Sequence, residues 1–153
     1  MTNHAQSLET GITAIDLEHK RLVGLANLII NSDKKQRERM HTDNFIAMLL
    51  SAVKQHIGHE EELMIRIGYR KADDHITAHS VLLDDLLKSF NGYLGGTNTA
   101  DDVLNNFCFV MFLHWRTHDD ELGRHIVTIR EKRRKSPGLV HPARIETGPR
   151  KPH

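Results

Sequence analysis

At 153 residues, 39% hydrophobic and 27% charged, the chain fits one domain with a core of its own. Its 21 Lys and Arg nearly balance 20 Asp and Glu, but residues 1–130 hold 14 against 18, a formal −4, and residues 131–153 hold 7 against 2, a formal +5. A mildly acidic body excludes a domain-wide nucleic-acid surface, the lone Cys108 excludes an internal disulfide, and no apolar run reaches the length of a membrane span.

No signal peptide opens the sequence, so a soluble cytoplasmic protein is the expectation. Residues 1–12 lack helical period and read as an N-terminal arm. Thr13 is the expected N-cap of a first helix, with Asp16 favouring its dipole and Ile15, His19, Leu22, Ala26 and Ile29 on one stripe. That helix ends in the polar stretch 31–39. Thr42 or Asp43 caps a second helix, with Phe45, Leu49, Val53, His56, Glu60 and Leu63 facing inward and a stop near Gly68. Asp73 begins a third, carrying His75, His79, Leu82, Leu86 and Phe90. Gly92, Gly95 and Gly96 mark a break. Thr99, Asp101 and Asp102 then open a fourth helix through Phe107, Met111, His114 and Leu122 toward Arg130. The domain reading is an arm over 1–12, a helical bundle over 13–131, and a basic Pro/Gly-containing tail over 132–153, expected to be disordered. No strand pattern is present. Four helices with short loops imply an all-α, up-down-up-down four-helix bundle.

Five histidines and two acids fall at intervals that bring them to one layer of such a bundle: His19, His56, Glu60, His75, His79, His114 and Asp119. Positions four apart share a helix face, which pairs His56 with Glu60 and His75 with His79. His19 lies 14 residues from the turn near Asp33, and His56 lies 14 from Thr42. Both are therefore about 21 Å from that turn. At the other end His79 lies 12 residues from Asn91, and His114 lies 13 from Asp101. His118, one turn beyond His114, would sit about 6 Å deeper, and Gly123 stands where an acid five residues on would be needed. Asp119 stands about 140° around an α-helix from His114, so its role requires a rotation or a local distortion. Seven imidazole and carboxylate groups exceed the four ligands of a structural zinc site and suggest two metals.

These blocks resemble the bacterial hemerythrins. The matching text is Gly11-Ile12-Thr13-Ala14-Ile15-Asp16-Leu17-Glu18-His19-Lys20 with Leu22 and Asn27. It continues with His56-Ile57-Gly58-His59-Glu60-Glu61-Glu62-Leu63-Met64 to Gly68-Tyr69, then His75-Ile76-Thr77-Ala78-His79, and His114 with Asp119 and Leu122. The resemblance covers about residues 8–130. It implies a four-helix bundle around a non-haem di-iron centre that binds O2 reversibly, for oxygen transport, storage or local supply, and not an enzyme. It further implies that His75, His79 and His114 hold one iron and His19 and His56 the other, which keeps an open position. Glu60, Asp119 and a solvent-derived oxygen would bridge the two. Leu22, Ile57, Leu82, Met111 and Trp115 are the candidates for an apolar O2 pocket. The sequence departs from the family around that pocket. Val110 and Ala52 stand where aromatics are usual, Ile57 replaces a Phe, the arm lacks its Trp, and Trp115 follows His114 instead. These changes bear on pocket size, water access and autoxidation.

The remaining candidates read as ordinary chemistry. His59, His4, His41, His141 and His153 are expected at the surface, and His125 against the arm or exposed. Glu61 and Glu62 are solvated acids or partners of the ligands, Asp16 a helix-start acid or such a partner, and Cys108 a small buried residue. The alternatives to O2 binding are a di-iron enzyme (a peroxidase or an NO or O2 reductase), an O2-, redox- or iron-sensing module, and metal buffering. A protein recipient of O2, docking through the basic tail, is a further expected partner.

Overall fold

The computed structural model describes residues 9–32 and 42–135. The greater part of the arm, the expected turn near Asp33, and the tail beyond Lys135 lie outside the described residues, as do His4, His41, His141 and His153. Helix α1 spans Thr13–Ile30, α2 Thr42–Ile67, α3 Ala72–Leu94 and α4 Ala100–His114. A π-helical turn, Trp115–Asp119, continues α4 directly into α5, Asp120–Lys135. These elements make four helical rods, with no strand among the described residues. Rods adjacent in sequence pack together, and α4 packs back on α1 to close the ring. Short connections make neighbours antiparallel, as the bundle reading requires. Among the described residues no helix is long and apolar enough to cross a membrane.

Local chemistry sets most of the boundaries. Thr99 caps α4 in a reciprocal box: its hydroxyl accepts from the Asp102 N–H at 3.1 Å, and the Asp102 carboxylate accepts from the Thr99 N–H at 2.8 Å. Helix α2 ends at Gly68, whose φ of +63° suits a residue without Cβ. The start of α1 differs from expectation. Ile12, not Thr13, occupies the cap position, and no side chain caps it. Asp16 instead accepts from the Thr10 N–H at 2.7 Å and the Thr10 hydroxyl at 2.8 Å, so its carboxylate folds the arm onto the helix. Helix α5 runs to Lys135, so Lys132–Lys135, within the basic segment, form the solvated helix end that the C-terminal dipole favours.

The inward stripe of α1 is as expected: Ile15, His19, Leu22, Ala26 and Ile29 are buried. On α2 the buried line runs through Ile46, Leu49, Val53, His56, Ile57, Glu60 and Met64. Phe45 and Leu63 are only partly buried. Over a helix of this length the 3.6-residue period rotates the inward face, and Ile46 and Met64 take the places assigned to their neighbours. Phe90 on α3 is likewise half-buried and stacks on Tyr93. Cys108, expected inside, is exposed.

The apolar core is divided. A large cluster includes Leu22, Leu49, Val53, Leu86, Leu104 and Phe107. A smaller one, of Ile12, Ile15, Met64, Tyr69, Leu122 and Ile126, closes the opposite end. The arm is strapped over that smaller cluster. Arg130 Nη1 donates to the Gly11 carbonyl at 3.1 Å, and His125 packs on Tyr69. Gly123 lies directly beneath the strap, and a Cβ there would come within 2.2 Å of the Thr10 carbonyl oxygen. Alanine normally favours a helix over glycine by about 1 kcal/mol, but here it must push backbone away. Gly123→Ala is expected to destabilise the protein by about 1–3 kcal/mol. A thermal melt equal to or above that of the parent would refute the strap.

Candidate metal centre

Each rod contributes to one buried polar layer between the two apolar clusters. His19 comes from α1, His56 and Glu60 from α2, His75 and His79 from α3, His114 from the end of α4, and Asp119 from the π turn. None of the seven is more than 5% exposed. Burial of so many polar groups together demands compensation, because each unpaired group costs free energy.

The π turn solves the spacing of Asp119. Five residues of α-helix would leave it about 140° from His114. Bonding of the i→i+5 type widens the turn, and Asp119 Oδ1 lies 3.1 Å from His114 Nε2. His118 is drawn only to the margin. It is half-buried, its ring 5.0 Å from that of His114 and 5.3 Å from that of His75.

The seven side chains form two groups of convergent donor atoms. One is Glu60, His75, His79, His114 and Asp119; the other is His19, His56, Glu60 and Asp119. The carboxylates belong to both. Asp119 Oδ1 lies 3.1 Å from His75 Nε2, and Asp119 Oδ2 lies 3.2 Å from His19 Nε2. Its two oxygens thus face different groups. Glu60 Oε2 is 3.2 Å from His79 Nε2 and 3.8 Å from His56 Nε2.

Two further carboxylates orient the imidazoles from outside. Glu18 lies 3.0 Å from His56 Nδ1 and also contacts the exposed His59. Glu61 lies 3.1 Å from His79 Nδ1. An ionised carboxylate only accepts, so both Nδ1 atoms donate and both Nε2 atoms turn a lone pair into the layer. Glu61 was anticipated as a solvated or supporting acid; Glu18 was not singled out. Its position beside His19 placed it near the layer, but which histidine of another helix it meets depends on helix rotation.

Electrostatics favour a cation. Burial, then repulsion from His19, lowers the pKa of His56. Burial, then His114 and His75, lowers His79 to about 2. Both are neutral at pH 7, as metal ligation requires. Burial and the adjacent Asp119 carboxylate raise Glu60 well above its ordinary range. Burial pushes Asp119 up too, but the surrounding histidines outweigh it and hold the carboxyl well below its ordinary range. Glu60 Oε1 and Asp119 Oδ2 have no hydrogen-bond partner; the His19–Asp119 contact, though short, does not satisfy the latter. His19 Nε2 faces His56 Nε2 at 3.3 Å, and His75 Nε2 faces His114 Nε2 at 3.1 Å. Inward lone pairs and unsatisfied carboxyl oxygens together fit cations of the iron or zinc type, which would displace the proton that burial favours on Glu60.

The five expected pocket residues are all buried, but they do not share one cavity. Met111 and Trp115 line a space beside His19. Leu22 borders a second with His56, and Leu82 a third with His114. Ile57 is packed in the large apolar cluster.

Comparison with known proteins adds an independent line. The chain is 27% identical to a bacteriohemerythrin of Pseudomonas paraeruginosa over 112 residues, 73% of this chain and 72% of that protein. It is 26% identical, over the same shares, to bacteriohemerythrins of Pseudomonas aeruginosa strains. No family model matches the chain, and no solved structure matches it significantly. The resemblance to the hemerythrin-like family therefore extends across most of the sequence, at low identity.

Proposed function

We propose that this chain is a hemerythrin-like protein that binds O2 reversibly at two non-haem irons held by residues 13–131. The observation that supports this best is the sharing of Glu60 and Asp119 between unequal histidine sets: His75, His79 and His114 on one side, His19 and His56 on the other. A cation held by the first set would have five protein donors, and one held by the second would have four. The second therefore keeps room for an exogenous ligand. Two ferrous ions there would supply the electrons that O2 takes up on binding.

The chain's own residues supply orientation and exclusion. Glu18 and Glu61 hold His56 and His79 in the tautomer that presents Nε2. Met111 and Trp115, buried beside His19, give the side with fewer donors an apolar wall. The carboxylate-dominated set with paired Glu-x-x-His motifs, found in ferritin-like proteins, is not the pattern here. An optical spectrum of iron-loaded protein tests the reading. A visible band that forms in air and vanishes on deoxygenation, over repeated cycles, is expected. Irreversible bleaching, or turnover of peroxide or NO without a reversible band, would refute carriage and favour a di-iron enzyme.

A further inference from the structure

Helix α4 is apolar on more than its inward face. From Phe107 to Leu113 it reads Phe-Cys-Phe-Val-Met-Phe-Leu. Phe107 and Met111 are buried, but Phe109 is 68%, Leu113 52% and Phe112 46% exposed. These three lie within little more than one turn, and they include both exposed phenylalanines among the described residues. Val23 of α1 borders Phe112, and the exposed Val81 of α3 borders Leu113. Apolar residues exposed singly need no explanation, but a contiguous apolar face in the middle of a helix marks a contact surface.

Charge indicates what that face meets. Asp102 and Arg116 stand seven residues to either side of Phe109. Seven residues fall within about 20° of two full turns, so the three share one line along the helix, about 10 Å apart. Asp102 is exposed, and Arg116 is half exposed, with Nη1 3.5 Å from Asp120. A second α4 laid antiparallel on this line, centred on Phe109, sets each Asp102 opposite the partner's Arg116 and packs the phenylalanines across the axis. A parallel arrangement would oppose like charges at both ends. The line is therefore complementary to its own reversed copy, the property that an isologous two-fold contact requires. Lys20 on the α1 flank and Asp85 on the α3 flank lie off the line, at a rim where water and salt screen them.

We propose that the Phe109 face of α4 binds a second copy of this chain, forming an antiparallel α4–α4 homodimer about a two-fold axis at Phe109. Burial of the apolar residues drives association, and the Asp102–Arg116 pairs set its direction. The exposed surface of Phe109, Phe112 and Leu113 comes to roughly 350 Å² per chain, well below the about 800 Å² per partner of a standard interface. The dimer is therefore weak and exchanges with monomer. The buried polar layer lies on the inner side of α4, so the dimer does not depend on the proposed O2 binding.

Sedimentation equilibrium of the full chain as purified, from about 10 μM to about 1 mM, tests this. A monomer–dimer equilibrium with a Kd of about 10–300 μM is expected. Phe109→Glu sets two carboxylates on the axis and should raise the Kd about tenfold or more at unchanged helicity. Charge-swap mixing tests the direction. Arg116→Glu alone, and Asp102→Arg alone, each oppose like charges and should dimerise about threefold or more weakly than the parent. An equimolar mixture of the two restores opposite charges at both places and should associate more tightly than either variant by itself. Asp102→Arg also gives up the α4 cap, but α4 remains held by its buried face, and circular dichroism checks that it does. A single-chain mass at every concentration, a dimer indifferent to Phe109→Glu, or a mixture no tighter than its components would overturn the proposal. If the single chain instead binds vesicles of mixed neutral and anionic lipid, and Phe109→Glu abolishes that binding, the face belongs to a lipid surface and the homodimer is refuted.

Discussion

Replacing His75 with alanine is expected to cut bound metal from the proposed two equivalents per chain to one or none, and to lower the melting temperature by about 8–16 °C. His75 is 2% exposed, and its Nε2 lies 3.1 Å from both His114 Nε2 and Asp119 Oδ1. Removing it deletes one donor and leaves that carboxylate oxygen short of a neighbour. A ligand present at a thousandfold excess over its Kd contributes about 4 kcal/mol. At about 2–4 °C per kcal/mol for a chain of this size, that gives the stated shift. His59→Ala is the matched control. His59 is half exposed and touches Glu18 at the surface, so its loss should change stability by no more than about 0.5 kcal/mol. Metal analysis and melting curves on the two variants decide the matter, and equal effects would reject the assignment of His75 to the centre.

Removing metal with a chelator should expose a second large effect, a loss of stability on acidification. His56 and His79 have folded pKa values below the ordinary 6.5, chiefly through burial. Below pH 6.5 the unfolded chain takes up protons that the folded one refuses, so their full contribution is present above 6.5 and falls as pH drops. Glu60 acts with the opposite sign. Its folded pKa is raised above 4.5, so its contribution is present below 4.5 and is lost as pH rises. Asp119, depressed below 3.8, contributes above that value and loses its contribution only in stronger acid. Between pH 6.5 and 4.5 two histidines therefore oppose one glutamate. The net slope is at most one proton, about 1.4 kcal/mol per pH unit, or up to about 3 kcal/mol across the window. Urea midpoints of the metal-free protein at pH 7 and pH 5 measure it directly. Metal-loaded protein should resist until acid displaces the ions. A midpoint that is flat, or higher at pH 5, would contradict the electrostatic description.

The layer could be read from sequence because helices convert spacing into geometry. His19, His56, His79 and His114 lie at matched distances from turns, His75 shares a face with His79, and the structure brings the five rings together with Glu60. The interval from His114 to Asp119 could be recognised as wrong for an α-helix. Nothing in the residues Trp115–Asp119 announced that a π turn would correct it. Interhelical partners were least legible. Glu18 meets His56 only because α1 and α2 are rotated so, and that rotation is set by side-chain packing across the interface. The same cause moved the buried line of α2 to Ile46 and Met64. The start of α1 was misplaced for a different reason: Asp16 reaches back to Thr10, a contact outside the pattern of a capped helix. The tryptophan after His114 was visible as a departure, but the space it borders required coordinates.

The imidazole-carboxylate stratum also governs cooperativity. It separates a large oily half, built on Leu22, Leu86 and Phe107, from a small one closed by Ile12 and Ile126. Cations held there from all four rods, as proposed, would rivet the halves into one unfolding unit. Stripped of them, the chain would keep a buried carboxyl and carboxylate at its waist with too few partners, and the smaller half, carrying the strapped arm, would be the weaker partner and open first.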